Sequence, residues 1–186
     1  FDPETGEELE IGEVGEVCIH GPTMMMGYYN NQAETDYIMR THADGLKWIH
    51  TGDLGYMDEE GFLFIQGRIK RVIIRTDGFK VYPHVIEDVI NACPDVMMAT
   101  AVGTTAVGEV QGQDPYAFFT LRPECEKTED EIIAELKASC DKKLAEYVQP
   151  KYFTCLKEMP MTAVGKIDYK YLEKVALEML EEKATV

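Results

Sequence analysis

Three short runs of polar residues carry side chains suited to chemistry on a hydroxylated or phosphorylated ligand. Thr51-Gly52-Asp53 sets a conformationally free glycine beside a carboxylate. At a strand end, Asp53 can accept two hydrogen bonds from a sugar diol, although an Asp after a Gly is usually just a turn residue. Gly67-Arg68-Ile69-Lys70 follows. The planar fork of Arg68 suits charge-assisted bonds to ribose oxygens or phosphate better than a lysine would, whereas Arg71 and Arg75 read as a surface basic patch. Met161-Thr162-Ala163-Val164-Gly165-Lys166 presents one lysine on a glycine hinge ahead of a helix. Such an ammonium can reach phosphate and carboxylate oxygens together and stabilise charge that develops as they react; without such a ligand it is simply solvated. The cysteines, Cys18, Cys93, Cys125, Cys140 and Cys155, form no CxxC pair, which argues for inert reduced thiols rather than a zinc site or a disulfide framework.

The elements that must hold these runs follow from periodicity and turn signals. Alternation predicts a strand over 15–20, ended by Gly21-Pro22, with short strands at 47–50 and 62–66 between the turns Asp44-Gly45 and Glu60-Gly61 and a helical stretch near 34–40. Residues 1–67 are therefore expected to be a small β-rich unit. Beyond Gly67 the texture changes. Strands at 72–74 and 79–82 flank a turn at Asp77-Gly78, and Pro83 opens a helix to about residue 92. Strands at 97–102 and 116–121 enclose a Gly-rich linker near 107–113. Thr128 and Glu131 make a capping-box signature for a helix from 129 to about 147, stopped by Pro150; a strand at 152–156 and a helix over 169–180 complete an α+β unit over 68–186.

The 34 acidic and 18 basic residues of the 186 give a net charge of -16, which opposes nucleic-acid binding. No apolar run approaches the roughly 20 residues that span a bilayer, and no signal peptide precedes the acidic start, so a cytoplasmic protein without a transmembrane segment is expected. Phe1 stands where an initiator Met would, and the loop-like Asp2-Pro3-Glu4-Thr5-Gly6 suggests a fragment or processed chain.

In combination, the motifs are more specific than any one of them. Gly21-Pro22-Thr23, Met26-Gly27-Tyr28-Tyr29, Glu34-Thr35, Thr51-Gly52-Asp53-Leu54-Gly55, 58–62, Gly67-Arg68-Ile69-Lys70, Gly78-Phe79-Lys80-Val81-Tyr82-Pro83 with Ile86-Glu87, and Thr162 with Gly165-Lys166 follow in an order that resembles the carboxyl-terminal motif series of the adenylate-forming superfamily. That family includes acyl-CoA synthetases, peptide-synthetase adenylation domains and beetle luciferases.

The resemblance implies an AMP-forming ligase that activates a carboxylate, here a fatty acid, with ATP and Mg2+ and passes it to CoA. Asp53 would bind the ribose hydroxyls of ATP with help from Arg68, and Lys166 would be the catalytic lysine. Lys70 would be the hinge about which the terminal domain turns, and Gly78 would line the thiol path. Between Arg68 and Gly78 there is one residue more than in the commonest family pattern, so the tip at Thr76-Asp77 is expected to differ in shape. The phosphate loop, adenine-binding segment and metal-binding glutamate lie upstream in the family, which leaves this chain inactive alone. The alternatives are an amino-acid adenylation domain that loads a carrier protein, and a noncatalytic acidic interaction module.

Overall fold

The computed structural model describes residues 1–105 and 112–184. The chain divides into two compact units, Phe1–Lys70 and Arg71–Val186. Most of the Gly-rich linker expected near 107–113 lies outside the described residues.

In the first unit, β1 (Gly15–Ile19), β2 (Met39–Thr41) and β4 (Leu63–Arg68) all pair antiparallel with one long strand, β3 (Lys47–Met57). β3 has glycine turns at both ends: Gly45 (φ 78°) leads into it, and Gly61 (φ 85°) closes the hairpin to β4. The short α1 (Gln32–Ile38) begins where the side chain of Asn31 accepts the Glu34 N–H at 3.2 Å. It stops at Ile38 because Met39 turns extended and joins β2, so Arg40, expected in the helix, lies on a strand.

A second difference concerns Thr51-Gly52-Asp53. The expected strand end at residue 50 does not occur; β3 runs through the tripeptide to Met57. Gly52 sits at φ 74°, and the β1 register jumps from Cys18↔His50 to Glu16↔Leu54, so residues 51–53 bulge opposite Val17. Only glycine adopts that φ without strain. The bulge kinks the strand while keeping its hydrogen bonds on both sides.

The second unit is α+β. A small hairpin joins β5 (Ile73–Ile74) to β6 (Lys80–Val81), and α2 (Pro83–Asn91) starts with proline at its first turn, where a missing N–H costs nothing. β7 (Val96–Thr104) and β8 (Asp114–Leu121) are antiparallel, and β9 (Tyr152–Cys155) adds to β8 in parallel. α3 (Glu129–Lys143) carries the complete capping box of Thr128 and Glu131. It ends before the expected 147, because Leu144 turns extended and packs into the core, leaving a single 3-10 turn at Glu146–Val148. α4 (Tyr169–Ala184) is last.

Alternation along the sheet sorts its side chains onto two faces. Ala99, Ala101, Ala117 and Phe119 meet Ile86 and Ile90 of α2 and Ile132 and Leu136 of α3. Val102, Tyr116 and Phe118 meet Leu172, Ala176 and Leu180 of α4. Each fully buried large side chain contributes about 1.5–3 kcal/mol by leaving water. This three-layer packing holds the loops at the strand and helix ends.

Candidate functional site

The bulge in β3 places Asp53 directly across from Arg68 on β4. Arg68 Nε lies 2.8 Å from Asp53 Oδ1, and Arg68 Nη1 donates to the Thr51 carbonyl at 2.9 Å. The bulge is fixed from below. Thr51 Oγ1 donates to the Val17 carbonyl at 2.7 Å, and Gly52 N–H donates to Glu16 Oε1 at 2.9 Å. The Asp53 side chain is 31% exposed and that of Arg68 53%, so a carboxylate and a guanidinium stand together at the surface on a stiff backbone. That pair can accept from vicinal hydroxyls and donate to an anionic oxygen at the same place.

Lys70 lies in the 3-10 turn Ile69–Arg71, exposed, with Nζ 5.5 Å from the centre of the Tyr37 ring, within cation–π range. It closes the first unit.

Lys166 occupies a tight hairpin on the second unit. Thr162 N–H donates to the Lys166 carbonyl at 2.6 Å, Lys166 N–H to Thr162 Oγ1 at 3.2 Å, and Met161 bridges Ile167. Gly165 takes φ 74° with open space around it, and the Lys166 side chain projects into solvent. Ile167 packs into the α4-side core. The loop backbone is thus ordered while its lysine is free to reach outward.

Gly78 sits at φ 83° in the five-residue tip of the β5–β6 hairpin, where an added Cβ would meet nothing within 4 Å. Gly78 is therefore required by backbone conformation, not by crowding among the described residues. Arg75 and Asp77 form an ion pair across the tip (Nη2 to Oδ2 3.0 Å), and the Phe79 ring stacks on Tyr147 with centroids 4.7 Å apart.

Arg71 does not belong to the surface patch expected for it. Its guanidinium is 21% exposed and pairs with Glu87 of α2, donates to Thr100 Oγ1 and the Ala101 carbonyl, each at 3.3 Å, and lies 3.8 Å from the Tyr169 ring centre. Glu87 also accepts from Thr100 Oγ1 at 2.8 Å and Ala101 N–H at 3.0 Å. No local pattern announces this knot, because its members are spread over almost a hundred residues.

Sequence spacing also conceals a cluster of Cys18, His42 and His50, whose ligand-capable atoms lie within 4.8 Å of one another. A hydrogen-bond chain accounts for it: Glu16 Oε2 to His50 Nδ1 at 2.7 Å and His50 Nε2 to His42 Nε2 at 2.9 Å. Burial, with Glu16 beside it, pushes the Cys18 thiol up to about 11, and burial does the same for Cys140. Neither is an activated nucleophile at neutral pH. The other such group, Cys93, Asp95 and Glu135, has Lys127 Nζ 2.9 Å from Asp95 and 2.8 Å from Glu135. A nitrogen–sulfur set and a lysine-filled carboxylate pair do not fit Mg2+, which wants oxygen ligands in octahedral array.

Residues 85–166 match the AMP-binding enzyme C-terminal domain. Over 90% of its length the chain is 37% identical to the medium/long-chain-fatty-acid–CoA ligase FadD8 of Mycobacterium tuberculosis, and over 95% it is 35% identical to a long-chain-fatty-acid–CoA ligase of Escherichia coli O157:H7. The chain is thus similar to CoA ligases over nearly its whole length. Its fold agrees: ATP-bound MatB from Rhodopseudomonas palustris superimposes with a TM-score of 0.80 over 96% of the chain at 30% identity. The chain spans 28% and 29% of the lengths of the two ligases and 33% of the MatB chain. The matched family segment opens within α2 and closes on Lys166. Among the described residues no helix is long and apolar enough to cross a membrane.

Proposed function

We propose that the chain is the carboxyl-terminal part of an ATP-dependent, AMP-forming acyl-CoA synthetase acting on a fatty acid. Residues 1–67 would be the end of its large adenylation domain, and 68–186 its mobile cap. Two observations carry this proposal, each within its own unit: a solvent-facing Asp53–Arg68 couple on the first, and a solvent-facing lysine on an ordered hairpin of the second. The CoA acceptor and fatty acyl substrate rest on the names of the ligases it resembles.

In the first step a carboxylate oxygen attacks the α-phosphorus of ATP, giving acyl-adenylate and expelling pyrophosphate. Asp53 accepts hydrogen bonds from the ribose hydroxyls, and Arg68 donates to an adjacent oxygen. Lys166 donates to the carboxylate and phosphate oxygens as negative charge gathers between them. Holding both reactants in line converts their encounter into an intramolecular step. Lys70 then serves as the pivot: its backbone dihedrals change, the cap turns, Lys166 withdraws, and the Gly78 hairpin presents a side-chain-free path for the pantetheine thiol. The thiol sulfur attacks the acyl carbonyl, its proton leaves to solvent, and AMP departs. Mg2+ would neutralise phosphate charge during the first step, with ligands drawn from outside this chain.

The test is a comparison of half-reactions in the full-length protein. Lys166→Ala is expected to slow acid-dependent pyrophosphate release by about 10²–10³-fold while sparing thioester formation from supplied acyl-adenylate and CoA. Equal loss in both half-reactions would refute the two-conformation scheme, and wild-type protein that releases no pyrophosphate with any fatty acid would refute the activity.

A further inference from the structure

Arg71 is the first residue after the division between the units, and it is tied down at once. Its guanidinium reaches α2 through Glu87, β7 through Thr100 and Ala101, and the first residue of α4 through the Tyr169 ring. Tyr169 stands three residues beyond Lys166, separated only by Ile167, which is packed in the core, and by Asp168, whose N–H donates to the Pro160 carbonyl at 2.9 Å. The hairpin that carries Lys166 is therefore clamped at its far end by a ring lying under Arg71.

We infer that Arg71 is a positioning residue: through Tyr169 it fixes the Lys166 hairpin to the start of the second unit, so that rotation at Lys70 moves the lysine as one rigid piece. This rests on the function proposed above. A lone buried ion pair would be weak support for such a role, since desolvation offsets much of its attraction. Here, however, Glu87 is satisfied by three donors and the outer face of Arg71 is covered by an aromatic ring, the arrangement in which a guanidinium is held in one orientation. A bend that spread past Arg71 would have to break all of these contacts at once.

The experiment measures both half-reactions in the full-length protein carrying Arg71→Gln, Tyr169→Leu or Tyr169→Phe. Arg71→Gln and Tyr169→Leu are expected to lower kcat for adenylation by about tenfold or more, since small misplacements of a reacting group are costly, with KM for ATP unchanged. Thioester formation from supplied adenylate should stay at the wild-type rate, and Tyr169→Phe, which keeps the ring face, should retain adenylation. Tyr169→Leu leaves the Arg71–Glu87 pair intact, so it decides the matter if Arg71→Gln misfolds. Parallel loss of both half-reactions, or equal damage by Leu and Phe at 169, would overturn the inference. Hydrogen exchange on the 186-residue chain separates it from the functional proposal: Tyr169→Leu should speed exchange over 161–169 while β7 and β8 stay protected. Unchanged exchange there would overturn the coupling even if Lys166→Ala abolishes adenylation. Faster exchange would uphold it even if Lys166→Ala has no effect.

Discussion

Asp53 and Arg68 form an ion pair at the protein surface, and that sets what replacing Asp53 should do. In the full-length protein, Asp53→Ala is expected to raise the KM for ATP by about 10–100-fold, the worth of hydrogen bonds to a charged acceptor, with a smaller change in kcat. A kcat loss without a KM change would remove Asp53 from ribose binding. A second residue to watch is His42. Burial, helped by the neighbouring His50, lowers its pKa below the ordinary 6.5. The unfolded chain then binds the extra proton first as pH falls. Stability of the first unit should therefore be full above about pH 7 and decline as pH drops below 6.5 toward the folded value. Thermal melts at pH 7.5 and 5.5 test this, and the difference should shrink in His42→Asn. At this scale Asp53, Arg68 and Lys166 were legible as polar candidates because they stand in short motifs. Arg71 was misjudged, since charge and neighbours suggest a solvated side chain and nothing within ten residues reveals Glu87, Thr100 or Tyr169.

Elements were legible wherever a local rule governs them. The Thr128–Glu131 capping box, Pro83 at the start of α2 and the glycine turns each fix a boundary by their own chemistry. Boundaries set by tertiary packing were not. α3 stops early because Leu144 is drawn into the core, and β3 runs long because Gly52 allows a bulge that a pattern of alternation takes for an end. The same contrast predicts two sizes of effect on the second unit. Thr128→Ala removes an exposed cap and should cost about 1 kcal/mol, whereas Leu136→Ala, buried at the centre of α3, should cost about 2–5 kcal/mol. Denaturant titration of the chain with each variant measures both, and similar losses would mean that α3 is held by its end rather than its face.

For the molecule as a whole, the two units have unequal interiors. The second has two packed clusters on either side of its sheet, while in the first the only large apolar side chain buried among the described residues is Leu54. Met26, Tyr29, Ile11 and Phe62 of the first unit are exposed by 99%, 94%, 64% and 62%. With so little apolar area removed from water, the first unit should unfold at lower denaturant than the second. Two transitions in the isolated chain, with β1 to β4 losing hydrogen-exchange protection first, would bear this out, and a single coincident transition would contradict it. The knot around Arg71 has a practical consequence for recombination. Arg71, Glu87, Thr100, Ala101 and Tyr169 all lie downstream of the Lys70–Arg71 seam. A cap transplanted onto a related body at that seam takes its own fastening with it. A crossover placed a few residues later, between Arg71 and Pro83, would leave the half-buried Glu87 carboxylate without its counter-charge wherever the body supplies no basic residue at position 71.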